Sequence, residues 1–224
     1  MTTPPAGPAG TSSGRLRIAL LAVIGVGLLL LGGGAAVALG IGRDEPPATD
    51  SVAAGFARDM AAHHLQAVEM ANYVPARSSD PEVEQLAFDI AELQQNQVGR
   101  MQGWLSLWGL PFSSSDRMAW MSEDAHAGHD MSGGRTAGAM PGMASEEELA
   151  ELRSLTGRAL DLRFLQLMMR HHQGGFEMAA HGAEHAEVPA VRRLASTIAE
   201  TQAVETTTMA DMLAARGGAP LEAP

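Results

Sequence analysis

The chain has no cysteine and no lysine, and only 4% of its 224 residues are aromatic, with a single tyrosine. Without thiols there are no disulfides and no thiolate ligands, so a soft metal ion would have to be held by methionine sulfur. Every basic residue is an arginine. Twelve arginines follow Arg43, against 26 acidic residues, which gives the body of the chain a charge of about −14. That balance argues against a nucleic-acid partner and attracts cations only weakly and without selectivity. No Gly-rich phosphate loop, nucleophile elbow or His-Glu-x-x-His zinc motif is present. No stretch alternates with period two, so no sheet is expected. What the chain does have is methionine, 14 in all, and eight histidines that all fall between positions 63 and 185.

These residues sit in a repeat. Phe56, Met60, His63-His64, Glu69, Met70 and Ala71 recur as Phe164, Met168, His171-His172, Glu177, Met178 and Ala179, at a constant offset of 108 residues. The same offset relates Pro81 to Pro189, Ile90-Ala91-Glu92 to Ile198-Ala199-Glu200, Gln94 to Gln202 and Met101 to Met209. A gapless match of this length indicates an internal duplication, with repeats over about 50–109 and 158–217.

In chain order, residues 1–17 form a tail that is rich in Pro, Gly, Thr and Ser at its start and is expected to be disordered and cytoplasmic. Residues 18–42 are an uncharged run preceded by Arg15 and Arg17. The run exceeds the roughly 20 residues that cross a bilayer, and the flanking arginines would hold the short side in the cytoplasm. The expected location is the cell membrane, single-pass, with the C-terminal domain outside. Secretion after cleavage near Ala38 is the alternative. A helix should begin at Asp50 and run to Tyr73, with Arg58, Ala62 and Glu69 on the face opposite the histidines. A second starts at Asp80-Pro81 and ends by Gly109, with an inner stripe of Val83, Leu86, Ile90, Gln94, Gln97, Met101, Leu105 and Trp108. Residues 110–144 form a Met/His-rich linker without periodicity. Ser145 and Glu148 make a capping box for a short helix. A long helix then carries the second motif, and a last one runs from Pro189 to Gly217-Gly218. Each repeat is a helical hairpin with one apolar face that it cannot bury alone. The fold class is therefore all-α: two hairpins forming an antiparallel four-helix bundle over 50–217, plus an N-terminal transmembrane helix.

The motif spacing brings two thioethers and at least one imidazole to one face of each histidine-bearing helix. Imidazole is the commonest metal ligand, and thioethers select soft ions such as Cu(I). Methionines at helical spacing alone would be core filler. Two adjacent histidines on a core-facing arc in both repeats favour metal binding over packing, because a buried imidazole needs a partner. Gln94, Gln97, Gln202 and Glu205 fall midway along the second and fourth helices. They serve either as groups that orient the imidazoles, or as a ligand in the case of Glu205, or else as a polar network fixing helix register. His126, His129, Met131, Met140 and Met143 suit a capture segment for copper or silver. His181 and His185, four apart, could chelate as a surface pair, but their counterparts are Tyr73 and Arg77, and they are best taken as ordinary exposed histidines. A di-iron oxidase would need Glu-x-x-His on two helices. Glu92-x-x-Gln95 and Glu200-x-x-Ala203 lack the histidine, and Glu69 and Glu177 fall on the outer arc.

These residues resemble the domain-of-unknown-function family 305, exported bacterial proteins of ferritin-like helical fold. The resemblance rests on Met140-Pro-Gly-Met143, Asp161-Leu-Arg-Phe164, Met168, His171-His172-Gln173-Gly174, Met178-Ala179, Gln202 and Met209, and covers about residues 50 to 217. It implies copper or silver handling outside the cytoplasm. By position, it implies the ligands Met168, His171, His172 and Met178, with Met60, His63, His64 and Met70 in the first repeat. The first repeat departs at Ala53, where the second has Asp161. The expected function is thus a Cu(I)- or silver-binding protein for buffering, transfer or tolerance, with a copper-handling protein as a partner. A metal-dependent oxidase and a tethered structural bundle are the competing readings.

Overall fold

The computed structural model describes residues 12–38, 45–121 and 140–221, and the chain divides into two units, residues 1–46 and 47–224. The first unit holds helix α1, Ser12–Ala38. Its segment Gly14–Ala35 has a mean hydropathy of 2.4, long and apolar enough to cross a membrane, a test that a signal sequence also meets.

The second unit is all-helical, with no strand among the described residues: α2 (Val52–Asn72), α3 (Pro81–Trp108), α4 (Glu146–Ser154), α5 (Gly157–His185) and α6 (Pro189–Ala215). Local chemistry sets the boundaries. The Asp80 carboxylate accepts from the amides of Glu82 (3.0 Å) and Val83 (3.4 Å), and Pro81 opens α3 where no amide is needed. Gly109, at φ 67°, ends α3 in the left-handed conformation that other residues resist. Ser145 and Glu148 form a reciprocal capping box at α4. α2 packs on α3, α5 packs on α6, and the two hairpins join mainly through α2 against α5.

Three local expectations give way. Ser51, not Asp50, caps α2, its hydroxyl accepting from the Ala54 amide at 3.2 Å. Arg58 is buried rather than outward-facing, and its guanidinium donates to the Thr49 carbonyl (2.6 Å), the Thr49 hydroxyl (2.8 Å) and the Pro111 carbonyl (3.1 Å). The inner stripe of α3 uses Ala87 and Val98, while Leu86 and Trp108 are only partly covered. The cause of the Arg58 miss lies in residues 110–121. Met118 leads into a single 3₁₀ turn, Ala119–Met121, that lies over the outer face of α2. Asp59, also buried, accepts from the Met118 amide (2.7 Å) and the Trp120 indole (2.8 Å). Trp120 meets Phe56 edge-on, with centroids 5.8 Å apart, and fills the space that a side chain at Gly55 would need.

The apolar interior falls into two clusters. One gathers Phe56, Met60, Met101, Leu105, Met178 and Ile198, and the other gathers Met70, Ile90, Phe164, Met168, Met209 and Leu213. Between them, along all four long helices, comes a polar layer.

Candidate functional site: a buried imidazole layer

The layer contains His63 and His64 from α2, His171 and His172 from α5, Gln94 and Gln97 from α3, and Gln202 from α6, all buried. Glu205 of α6 borders it, with 17% of its side chain exposed. The four imidazoles are fully inaccessible to solvent. The helices carry their histidines side by side because α2 and α5 cross closely at that point. His63 and His171 have ring centroids 3.8 Å apart, and His64 and His172 lie 6.5 and 6.3 Å from their neighbours in sequence.

Three of the rings are oriented through Nε2. His63 Nε2 donates to the Pro141 carbonyl at 2.9 Å, and His64 Nε2 to the Gln97 side-chain oxygen at 2.7 Å. His172 Nε2 donates to the Glu205 carboxylate at 2.7 Å. Each oxygen accepts, so Nε2 carries the hydrogen, and in a neutral ring Nδ1 then keeps its lone pair. Those three Nδ1 atoms are buried with no hydrogen-bond partner among the described residues, as are both nitrogens of His171. Leaving a buried polar atom unpaired costs about 1–3 kcal/mol, so native cores rarely keep several together. Burial also disfavours charge on His63, His64 and His171. It lowers His63 to about 4 against a rise from its bond to Pro141, and lowers His64 to about 3 with help from the nearby His63. His171 lies well below the usual value, first through burial and then through the three neighbouring imidazoles.

Thioethers bracket this layer. Met60 and Met178 stand on one side and Met70 and Met168 on the other, each fully buried. The eight side chains named from the sequence are therefore all in the core, near the middle of the bundle. The glutamines divide. Gln97 binds an imidazole, as Glu205 does, but the Gln202 amide and the Gln94 carbonyl have no partner among the described residues. Met140 is buried in the first apolar cluster, and Met143 packs against it partly buried. His126, His129 and Met131 lie outside the described residues.

The spacing did not point to the strap formed by residues 140–144. Pro141 reaches His63 because Gly174 has no side chain: a Cβ there would overlap the Pro141 carbonyl. Gly142, at φ 74°, lies against the α5 backbone, where a Cβ would sit 2.5 Å from the Arg170 carbonyl and 3.1 Å from the His171 Cα. A Cβ at Gly175 would come within 2.7 Å of the Gln202 amide and 3.0 Å of His63. Gln66 clamps the end of the strap, donating to the Ala144 carbonyl (2.9 Å) and accepting from its amide (2.8 Å). Arg170, paired with Glu148 at 2.5 Å, reaches the Met143 carbonyl at 3.4 Å. The signal available in advance was the pair of glycines directly after Gln173.

Among the described residues no three His, Asp or Glu side chains stand together in a ready metal cluster. An ion in this layer would draw on thioethers as well as imidazoles. Buried rings with unpartnered Nδ1 atoms, fixed by oxygen atoms on Nε2 and flanked by sulfur, fit a soft copper ion better than a hard one.

Fold and layer together define a helical-bundle protein with a buried histidine–methionine centre. The chain belongs to the family described as domain of unknown function (DUF305), whose model matches residues 53–213. A DUF305 protein from Streptomyces coelicolor, a candidate secreted protein, is 45% identical. The match covers 79% of this chain and all of that one, with a TM-score of 0.70. A DUF305 fragment from Deinococcus radiodurans is 34% identical over 76% of this chain and 99% of its own, with a TM-score of 0.60. CopM in its Cu(I)-bound form is 22% identical over 73% of this chain and 96% of its own. Its Cu(II)-bound form gives 24%, and the TM-score is 0.55 for both, a likeness of fold. No curated protein matches the chain.

Proposed function

We propose that the second unit binds copper, as Cu(I), in the imidazole layer and acts as an extracytoplasmic buffer or carrier rather than as an enzyme. The observation that carries this reading is the set of Nδ1 atoms that are buried and unpartnered among the described residues beside four buried thioethers. His63 and His171, in mutual contact, are the central donors. His64 and His172 are positioned by Gln97 and Glu205, and Met60, Met178, Met70 and Met168 supply sulfur. The copper-bound forms of CopM, a protein of the same fold, support the choice of metal. Of the carboxylates that an iron oxidase would need, Glu177 is exposed and Glu69 only half-buried, which leaves Glu205 as the one carboxylate bonded to an imidazole of the layer among the described residues. Helix α1, with Arg15 and Arg17 in its first turns ahead of the uncharged run, supports membrane attachment or export.

The test is a competition titration of the full chain against a colorimetric Cu(I) chelator. His63→Ala with His171→Ala should weaken Cu(I) binding at least a hundredfold. Unchanged stoichiometry and affinity would dismiss the core centre. Loss of binding only on deleting residues 122–139 would move the site to that segment.

A further inference from the structure

The last turn of α5 carries a second pair of imidazoles that the layer does not use. His181 and His185 are one helical turn apart, and their ring centroids approach to 4.4 Å at 45°. The two rings are therefore turned toward each other rather than splayed into solvent, the arrangement from which an i, i+4 pair closes on one ion. His181 is half-buried, and Trp120 packs against it with centroids 5.6 Å apart, so this ring is already held in place. His185 keeps 41% of its side chain exposed and can turn about it. The Glu184 carboxylate, 3.7 Å from His185 Nε2, adds negative charge, as do the terminal carbonyls of α5. His181 lies nine residues beyond His172 on the same helix, about 14 Å along its axis, which makes this a separate centre.

We propose that His181 and His185 form a surface chelate for borderline divalent transition-metal cations, Cu(II) first, then Ni(II) and Zn(II). Nothing in it depends on the imidazole layer binding copper. The donor chemistry decides the class of ion. Two imidazoles with open water positions and a nearby carboxylate suit Cu(II), the strongest binder in the divalent series, whereas Cu(I) goes to thioethers. With two protein ligands the site is labile, and it captures rather than stores.

Trp120 provides the readout. In the full chain with Trp104→Phe and Trp108→Phe, Trp120 is the sole indole, and Cu(II) bound at His181 lies close enough to quench it. Titration with Cu(II) should quench this emission saturably, and Zn(II), which does not quench, should shift the midpoint upward in competition. His185→Ala, at an exposed position that leaves Trp120 packing alone, should weaken the quenching at least tenfold, and adding His181→Ala should abolish the saturable phase. His63→Ala with His171→Ala should leave it unchanged. The proposal is overturned if the midpoint is the same in His185→Ala. It is equally overturned if His126→Ala with His129→Ala removes the quenching while His185→Ala does not.

Discussion

The two hairpins share a sequence pattern and differ at the positions that touch the imidazole layer. Gly174 in the second stands where the first has Gln66, and both serve the same strap: the glycine admits the Pro141 carbonyl, and the glutamine clamps Ala144. Glu205 stands where the first has Gln97, so His172 is held by a carboxylate and His64 by an amide. Asp161, opposite Ala53 in the repeat, is buried and accepts from Ser78 (2.5 Å) and Ser79 (3.3 Å) in the loop of the first hairpin. One pattern gives matched histidines and methionines, and the unmatched residues make the halves complementary rather than identical. A perfectly symmetric pair of hairpins would have no room for the strap on one side and no clamp for it on the other.

The largest effect concerns the histidine pair of the first hairpin, which burial holds without charge. His63, held near 4, and His64, near 3, bind protons readily only after unfolding. Above about pH 6.5 both states leave these rings neutral, and stability is at its plateau. As pH falls from 6.5 toward 4 the unfolded chain takes up protons first, and each ring should remove about 2 kcal/mol by pH 5. Urea midpoints of the metal-free protein at pH 7.5 and 5.0 check this, and His63→Gln with His64→Gln should flatten the slope. A level stability between those pH values would mean that the rings are solvated. The next effect separates the hairpins. Gly174→Ala forces the new methyl into Pro141 and should cost about 1–3 kcal/mol by overpacking. Gln66→Ala removes two bonds to a partly buried backbone and should cost about 1–2 kcal/mol. If Gly174→Ala were the milder of the two, the strap would be looser than the geometry implies.

Much of this was legible in the sequence, for identifiable reasons. Helix ends were readable where a side chain or a backbone constraint sets them, as at Asp80-Pro81, Gly109 and Ser145. The histidines and their methionines could be assigned to one face because a helix fixes the angle between residues three and four apart. What escaped depends on tertiary contacts with no period. Arg58 looked solvent-facing until Thr49 and Pro111 supplied its acceptors. His63 finds a backbone carbonyl 78 residues away, and no side-chain pattern encodes a carbonyl. The glycines after Gln173 were visible but silent until the strap showed what they make room for.

Two smaller effects sharpen the contrast between the halves. Glu205→Gln makes the second hairpin like the first. If the carboxylate strengthens His172 as a donor, Cu(I) affinity should fall about tenfold to a hundredfold with little change in urea midpoint. An unchanged affinity would reduce Glu205 to a structural partner.

Asp161→Ala is the mildest. It deletes the acceptor for Ser78 and Ser79, but Ser78 can turn its one hydroxyl hydrogen to the Asp80 carbonyl, 3.2 Å away, and still accepts from the Asp80 amide at 3.0 Å. The loop is therefore not left unsatisfied, and the loss should be only about 1 kcal/mol. Because Ala53 is the counterpart, the substitution restores the symmetry of the repeat at that position, and Cu(I) affinity should not move. A double-mutant cycle with Ser78→Ala isolates the contact: if the pair acts directly, most of the loss from Asp161→Ala should vanish in the Ser78→Ala background. Additive losses would mean that Asp161 steadies α5 by another route, and that its difference from Ala53 has nothing to do with joining the hairpins.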